Sequence, residues 1–247
     1  MCDRRTRNQM TNSPRPSREP FSGLRVLLRR VAAKLNTEWL RATYPFIAIG
    51  RGASIDPAHN FWRPGSRYMS LGDGVYLAQD VWLHVVEYWG PPRPKLVLGK
   101  GCSIGRRSTI SAKNYVELED DVLLGPNVFI MDYNHEYSDP NLPIHAQGVT
   151  EGGRVVIGRN SWLGYGCVIC SGRGQLTLGR NCVVGANSVV TRSFPDFSVI
   201  AGSPAKLIKT YDAALGKWVR AKEEATDEGS VRMARAQEGD RIGNTGR

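Results

Sequence analysis

From Ile49 to Pro195 the sequence divides into eighteen six-residue units, and every unit opens on Ile, Leu, Val or Phe. The openers are Ile49, Ile55, Phe61, Leu71, Leu77, Leu83, Leu98, Ile104, Ile110, Leu118, Leu124, Ile130, Ile157, Leu163, Ile169, Leu178, Val184 and Val190. A helix repeats every 3.6 residues and a half-buried strand every two, so a sustained period of six fits neither. It predicts a hexapeptide-repeat parallel β-helix, in which each unit supplies one short strand and one corner. Taken in threes, the units form coils 49–66, 71–88, 98–115, 118–135, 157–174 and 178–195. The extra residues, 67–70, 89–97, 116–117, 136–156 and 175–177, all fall between coils. A three-sided prism with its insertions gathered at one corner produces that pattern. The opener points inward, and the Gly that often follows suits a tight corner or unusual backbone angles. The fifth residue is small or β-branched on the first two faces, as at Val75, Cys102, Ser108 and Val128. On the third face it is Gly65, Glu87, Asn114, Asn134, Arg173 or Phe194, so polar chemistry is expected beside that face.

The repeat sets the domain boundaries. Residues 1–20 are rich in Arg, Pro and Ser and are expected as a disordered tail. Residues 21–48 form an N-terminal cap. Within it, Leu24, Leu27, Leu28, Val31, Leu35 and Trp39 recur at helical spacing among Arg25, Arg29, Arg30 and Lys34. The preferred reading of this amphipathic helix, 22–42, is a cover for the open first coil; the other is contact with an anionic membrane surface. The prism runs over 49–210. Residues 211–247 are a C-terminal tail, with one helix expected near Ala213–Ala225.

Of the formal charge of +10, +7 falls before residue 49, and residues 211–247 carry equal numbers of each sign. No nucleic-acid-binding motif accompanies it, so anionic small molecules explain it and no nucleic-acid partner is expected. No apolar run approaches the roughly 20 residues that span a bilayer. Cys102, Cys167 and Cys182 sit in the small inward slot and read as core thiols. The Cys167-x-x-Cys170 spacing has no second pair and no neighbouring His, which leaves a metal or redox role as a second choice. With no disulfide framework among its five cysteines, the chain fits a reducing cytoplasm.

The stretch Leu124–Ile144, LGPNVFIMDYNHEYSDPNLPI, carries the functional signal. His135 is the last residue of the fourth coil, at the corner beside the polar face, and a 21-residue insertion follows it directly. Loops of that length within a compact repeat are usually functional. Of the other histidines, His59 falls in an inward slot, His84 at a distant corner, and His145 within the loop itself. Asp132, Tyr133, Asn134 and Asn114 are the polar groups expected nearest an acceptor. Asp132, Glu136, Asp139 or a backbone carbonyl could orient the His135 ring. Small residues at Gly164, Gly166, Gly185, Ala186 and Ala201 suit the close approach of an extended ligand, and corner geometry alone explains Gly164 and Gly185.

Three segments, PNVFIMDYNHEYSDPNLPI, VVIGRNSWLGYGCVI and VVGANSVVTRSFPDFSVIAGSPAKLIK, resemble the hexapeptide-repeat acyltransferases. The likeness is to the galactoside, maltose and polysaccharide O-acetyltransferase branch, and it covers about 49–210. It implies an all-β fold, a left-handed parallel β-helix prism, flanked here by an N-terminal helix and a helical or disordered C-terminal tail. It implies a homotrimer with active sites between subunits and the long loop reaching over the neighbour. His135 then matches the family's catalytic base, acetyl-CoA is the co-substrate, and the acceptor is a saccharide or nucleotide-sugar. By the same resemblance Tyr165, Ala186, Thr191 and Arg192 line the CoA groove, and Lys206 and Lys209 meet its phosphates and adenine end. No metal is expected. A serine or amine acetyltransferase is the alternative within the enzyme class. A γ-carbonic-anhydrase-like protein would need three zinc-ligating histidines, and a non-catalytic scaffold would have no reason to keep His135 or the closing signature.

Overall fold

The computed structural model describes residues 22–87 and 89–221. The expected tail 1–20 and the tail beyond 221 lie outside the described residues.

Three ladders of aliphatic side chains run along the prism. On the first face Ile49, Leu71, Leu98, Leu118, Ile157 and Leu178 pair in parallel register. On the second face Ile55, Leu77, Ile104, Leu124, Leu163 and Val184 do the same, and on the third Phe61, Leu83, Ile110, Ile130, Ile169 and Val190. The eighteen openers are therefore the partners that the strands bring together, and all but Ile49 are buried. Coils stack at the inter-strand spacing of about 4.8 Å, close enough for each opener to touch its equivalents above and below. The inward serines settle their hydroxyls on corner carbonyls: Ser108 Oγ donates to the Gly125 carbonyl at 3.1 Å and Ser161 Oγ to that of Gly179 at 3.2 Å.

The corner glycines serve close approach, not unusual angles. A Cβ on Gly50 would lie 2.3 Å from the Asp73 nitrogen, and one on Gly158 2.5 Å from that of Arg180, so consecutive coils touch backbone to backbone there. Positive φ falls elsewhere, for example at Asn127 and Asn160, where a short polar side chain tolerates the left-handed region.

Two elements depart from expectation. The second-face sheet adds a seventh inward residue, Ile200, paired with Val184 and fully buried. Its strand, Ser198–Gly202, then turns antiparallel into Ala205–Asp212, which pairs with Lys217–Arg220. This hairpin replaces the helix expected near Ala213–Ala225, as far as 221, and moves the end of the ordered fold past 210. It gives the last parallel strand a hydrogen-bonded neighbour in place of a bare edge.

The helix α1, Ser22–Thr43, lies on the first coil. It is joined there by Ala33, Thr37 and Leu40, all buried. Thr37 Oγ1 accepts the Ile55 N–H at 2.9 Å, and Asn36 Nδ2 donates to the Ile55 carbonyl at 3.1 Å. The buried set is not the apolar stripe read from the sequence; Leu24, Leu27, Leu28, Val31, Leu35 and Trp39 all face outward.

Because each opener is held between two others, Ile130→Ala removes buried contacts on both sides of its coil. The expected loss of stability is about 2–5 kcal/mol, read as a lower urea midpoint at unchanged slope.

Candidate active site

The third-face strand Phe129–Met131 sends Ile130 inward and leads directly to the corner. Beyond it the chain turns Asp132 and Tyr133 inward, leaves Asn134 half-buried and exposes His135. The long insertion is rooted at that point. His135 forms an isolated antiparallel bridge with Val149, the Glu136 N–H donates to the Gly148 carbonyl at 3.1 Å, and the Thr150 N–H donates to that of Asn134 at 2.8 Å. Within the loop the Gln147 side chain holds the turn, donating from Nε2 to the Asp139 and Leu142 carbonyls at 2.9 and 3.0 Å. The backbone of His135 is thus fixed, and its ring has no hydrogen-bond partner among the described residues. At the loop surface Tyr137, Leu142 and Ile144 are exposed.

Asp132 is the organising group, and the expectation that it faces the sugar is corrected. Its carboxylate is fully buried and accepts three backbone N–H bonds, from Lys113 at 2.7 Å, Asn114 at 2.8 Å and Tyr115 at 2.7 Å. Burial pushes its carboxyl above the ordinary range, while the three N–H donors pull the other way. The carboxylate pins the turn 113–115 of the third coil beneath His135. Strand parity gives the reason: Asp132 occupies the position of Val85 and Ala112, both inward and buried. Tyr133 is likewise corrected. It is buried, and its hydroxyl lies 2.9 Å from Ser111 Oγ, which in turn is 3.1 Å from His84 Nδ1.

Asn114 and Asn134 remain at the corner, half-buried. Asn114 Nδ2 donates to the Glu151 carbonyl at 2.7 Å, tying the returning end of the loop to the third coil. Asn134 packs against Gly172 of the next coil, where a Cβ would meet its Nδ2 at 2.5 Å. Lys113 was not expected at the site, and Glu87 was expected only as a polar residue of the third face. The Lys113 ammonium is 3.3 Å from Glu87 Oε1 and donates to the Thr150 carbonyl at 2.5 Å, with only 12% of its side chain exposed. Both belong to the polar third-face corner, and that clustering was the available signal.

None of the three acids offered as partners for the His135 ring takes that role. Asp132 is occupied as described, Glu136 Oε1 accepts the Tyr137 N–H at 3.2 Å, and Asp139 Oδ1 accepts that of Asn141 at 2.9 Å. Among the described residues no group of three or more His, Cys, Asp or Glu is placed to hold a metal ion. Cys167 points inward with its thiol 3.0 Å from the Gly185 carbonyl, and Cys170 is an unpaired, half-buried thiol on the third-face strand.

The residues expected around CoA fall into two groups. Tyr165, Ala186 and Lys206 share the corner between the second and third faces. A Cβ on Gly164 would meet the Ala186 backbone at 2.9 Å, one on Gly185 would meet Ala201 at 2.9 Å, and Ala201 pairs with Lys206. The register shifts between Val199 and Ile200, so Lys206 pairs with Ala201 and Lys209 with Val199. That bulge puts two lysines three residues apart on the same outward side. Thr191 and Arg192 follow Val190 at the far edge of the third face, both exposed, with the Arg192 guanidinium 4.8 Å from the centre of the Phe194 ring. The two groups flank the outer side of the third face, and His135 lies on the edge shared with Thr191 and Arg192.

Comparison with known proteins agrees with this architecture. A family model described as the hexapeptide repeat of succinyl-transferase matches residues 95–131 and 154–192. A Mycobacterium tuberculosis protein named as a probable acetyltransferase is 35% identical over 167 residues, covering 68% of this chain and 51% of its own. WbbJ of Escherichia coli, named for O-acetyl transfer in lipopolysaccharide biosynthesis, is 40% identical over 119 residues, covering 45% and 59%. The galactoside O-acetyltransferase of Escherichia coli is 32% identical over 131 residues, covering 49% and 60%. The chain carries the hexapeptide repeat and is similar across it to these acetyltransferases. It spans about half to three-fifths of the length of these curated relatives. Among solved structures, the N-acyltransferase AntD of Bacillus cereus, in complex with dTDP and 3-hydroxybutyryl-CoA, superposes with a TM-score of 0.57 at 17% identity. The match covers 81% of this chain and 96% of AntD. That likeness is one of fold, and the fold is the left-handed parallel β-helix.

Asp132→Asn keeps the shape of the side chain but turns an amide NH₂ toward at least one of the three N–H donors. A buried donor left unmatched costs about 1–3 kcal/mol, so the variant is expected to unfold at a lower temperature and to lose order at 113–115 by amide hydrogen exchange.

Proposed function

We propose that the protein is an acyl-CoA-dependent O-acetyltransferase that transfers an acetyl group to a sugar hydroxyl, with His135 as general base. The observation that carries this reading is the His135 ring. It is exposed at the root of the long loop, on a backbone fixed by the Val149 bridge, and no described residue occupies its nitrogens. The relatives named as O-acetyl transferases supply the reaction class.

A sugar hydroxyl is a poor nucleophile until its proton is removed, and a neutral imidazole can accept that proton at neutral pH. The hydroxyl oxygen then bonds to the carbonyl carbon of acetyl-CoA, and negative charge collects on the carbonyl oxygen. A backbone N–H is the kind of donor that stabilises it. Collapse of the tetrahedral species breaks the carbon–sulfur bond, and the imidazolium returns its proton to the CoA thiolate. The products are the sugar ester and free CoA, with no acyl-enzyme. Asn114 and Asn134 are the polar side chains nearest the acceptor in this reading. Tyr165, Ala186, Thr191 and Arg192 border the pantetheine, while Lys206 and Lys209 attract the phosphates as point charges.

The same reading makes the active form a homotrimer in which a second subunit closes the cleft opposite His135. The exposed Tyr137, Leu142 and Ile144 of the loop suit burial against that neighbour. Its place is the cytoplasm, where acetyl-CoA and nucleotide-sugar acceptors would be drawn from solution. No described helix is long and apolar enough to cross a membrane.

His135→Ala is expected to lower acetyl-CoA turnover by about 10²–10⁴-fold, measured as free-thiol release across a panel of mono- and nucleotide-sugars. Its melting temperature should stay within a degree or two of the parent, because the ring is exposed. Undiminished turnover in the variant would remove the assigned role. Lys206→Ala and Lys209→Ala should each raise KM for acetyl-CoA several-fold and leave kcat within about twofold, since a phosphate contact far from the carbonyl is made equally in ground and transition states.

A further inference from the structure

The helix α1 carries an apolar surface that the prism does not use. At 3.6 residues per turn, Leu24, Leu27, Leu28, Val31, Leu35 and Trp39 fall on one side. Ala33, Thr37 and Leu40, which meet the first coil, fall on the opposite side. The six outward side chains are between 46% and 66% exposed. A continuous apolar stripe of this length on a solvent-facing helix marks a contact surface.

Charge identifies what the stripe fits. Arg25 borders it along one edge, and Arg30 and Lys34 along the other, so basic groups bracket the apolar side chains. Arg29 lies further round and Arg41 falls between Arg30 and Lys34; Arg29 donates to Asp56 at 3.0 Å, and Arg41 to the Gly50 carbonyl at 3.0 Å. The helix has a single acidic residue, Glu38, which falls on the side of the stripe near its C-terminal end and is paired with Arg41. The sequence leading into the helix adds Arg4, Arg5, Arg7, Arg15 and Arg18 against Asp3 and Glu19. Packing two such stripes together would bring like charges edge to edge. A surface of anionic lipid headgroups over hydrocarbon matches both the stripe and its borders. Apolar side chains enter the acyl boundary while Arg and Lys reach the phosphates.

We infer that α1 is an in-plane membrane anchor, which seats the first-coil end of the prism on an anionic bilayer with the stripe Leu24–Trp39 facing the lipid. The helix lies along the surface and does not cross it. The inference is independent of the proposed chemistry at His135, three coils away.

Flotation of the whole chain with vesicles tests it, using phosphatidylcholine alone and an equimolar mixture of phosphatidylcholine and phosphatidylglycerol. The protein is expected to float with the anionic vesicles, and to be released as salt rises. Leu28→Ser combined with Leu35→Ser should abolish flotation. Arg30→Gln and Lys34→Gln should each weaken partitioning roughly fivefold. In all variants the elution volume on gel filtration should match the parent. Equal partitioning to neutral vesicles, or none to anionic ones, would overturn the inference. So would disassembly of an oligomer in Leu28→Ser/Leu35→Ser, which would assign the stripe to a second copy of the chain.

Discussion

The in-register stacking of one aliphatic side chain per six residues governs everything else in this molecule. An opener can touch its equivalents only when successive coils are one strand spacing apart and not rotated. Three such ladders fix the prism. They also forbid spare residues inside any coil, because a single insertion would turn the following opener away from the core. All the irregular sequence is therefore driven to the corner between the third and first faces, and the polar residues gather there with it. His135 is at that corner because the repeat leaves nowhere else for a long loop to leave and return.

The same constraint explains the polar interior beneath His135. Coils stack backbone to backbone at Gly50 and Gly158, so a polar group turned inward depends on protein partners; among the described residues the buried His59 Nδ1 has none. Ser108 and Ser161 meet this demand with corner carbonyls. Asp132 meets it with three N–H groups of the coil before, converting an inward carboxylate into a clamp on the turn 113–115. Lys113, anchored to Glu87 and the Thr150 carbonyl, closes the loop's return. The chemistry proposed for the exposed imidazole rests on this buried scaffold.

The core was legible in the sequence residue by residue, since period six alone assigns Ile49, Ile55 and Phe61 to three different faces and predicts each of their ladder partners. The glycines were legible as corners; of the two causes offered, a tight corner and unusual angles, the closeness of the next coil decides. The helix was legible as amphipathic, yet periodicity does not say which side meets the prism. Ala33, Thr37 and Leu40 form the smaller and less apolar side, and they dock because Thr37 and Asn36 hydrogen-bond to the edge of the first coil. Asp132 and Tyr133 were read as sugar-facing from their closeness to His135 in sequence. Comparison with Ala112 and Val85, one and two coils earlier, would have turned Asp132 inward. The hairpin 205–220 escaped notice because it pairs antiparallel and obeys no six-residue rule, with a bulge interrupting even its alternation.

The proposed chemistry requires a single placement of the fold: the His135 ring at the mouth of a cleft, with acetyl-CoA extended along the third face toward Lys206 and Lys209. A crystal structure of the protein with CoA tests that placement most directly. The account predicts the CoA thiol within hydrogen-bond reach of the His135 imidazole, directly or through one water, with a second subunit forming the opposite wall. CoA bound along another face, or a His135 ring with no thiol and no neighbouring subunit beside it, would contradict the account.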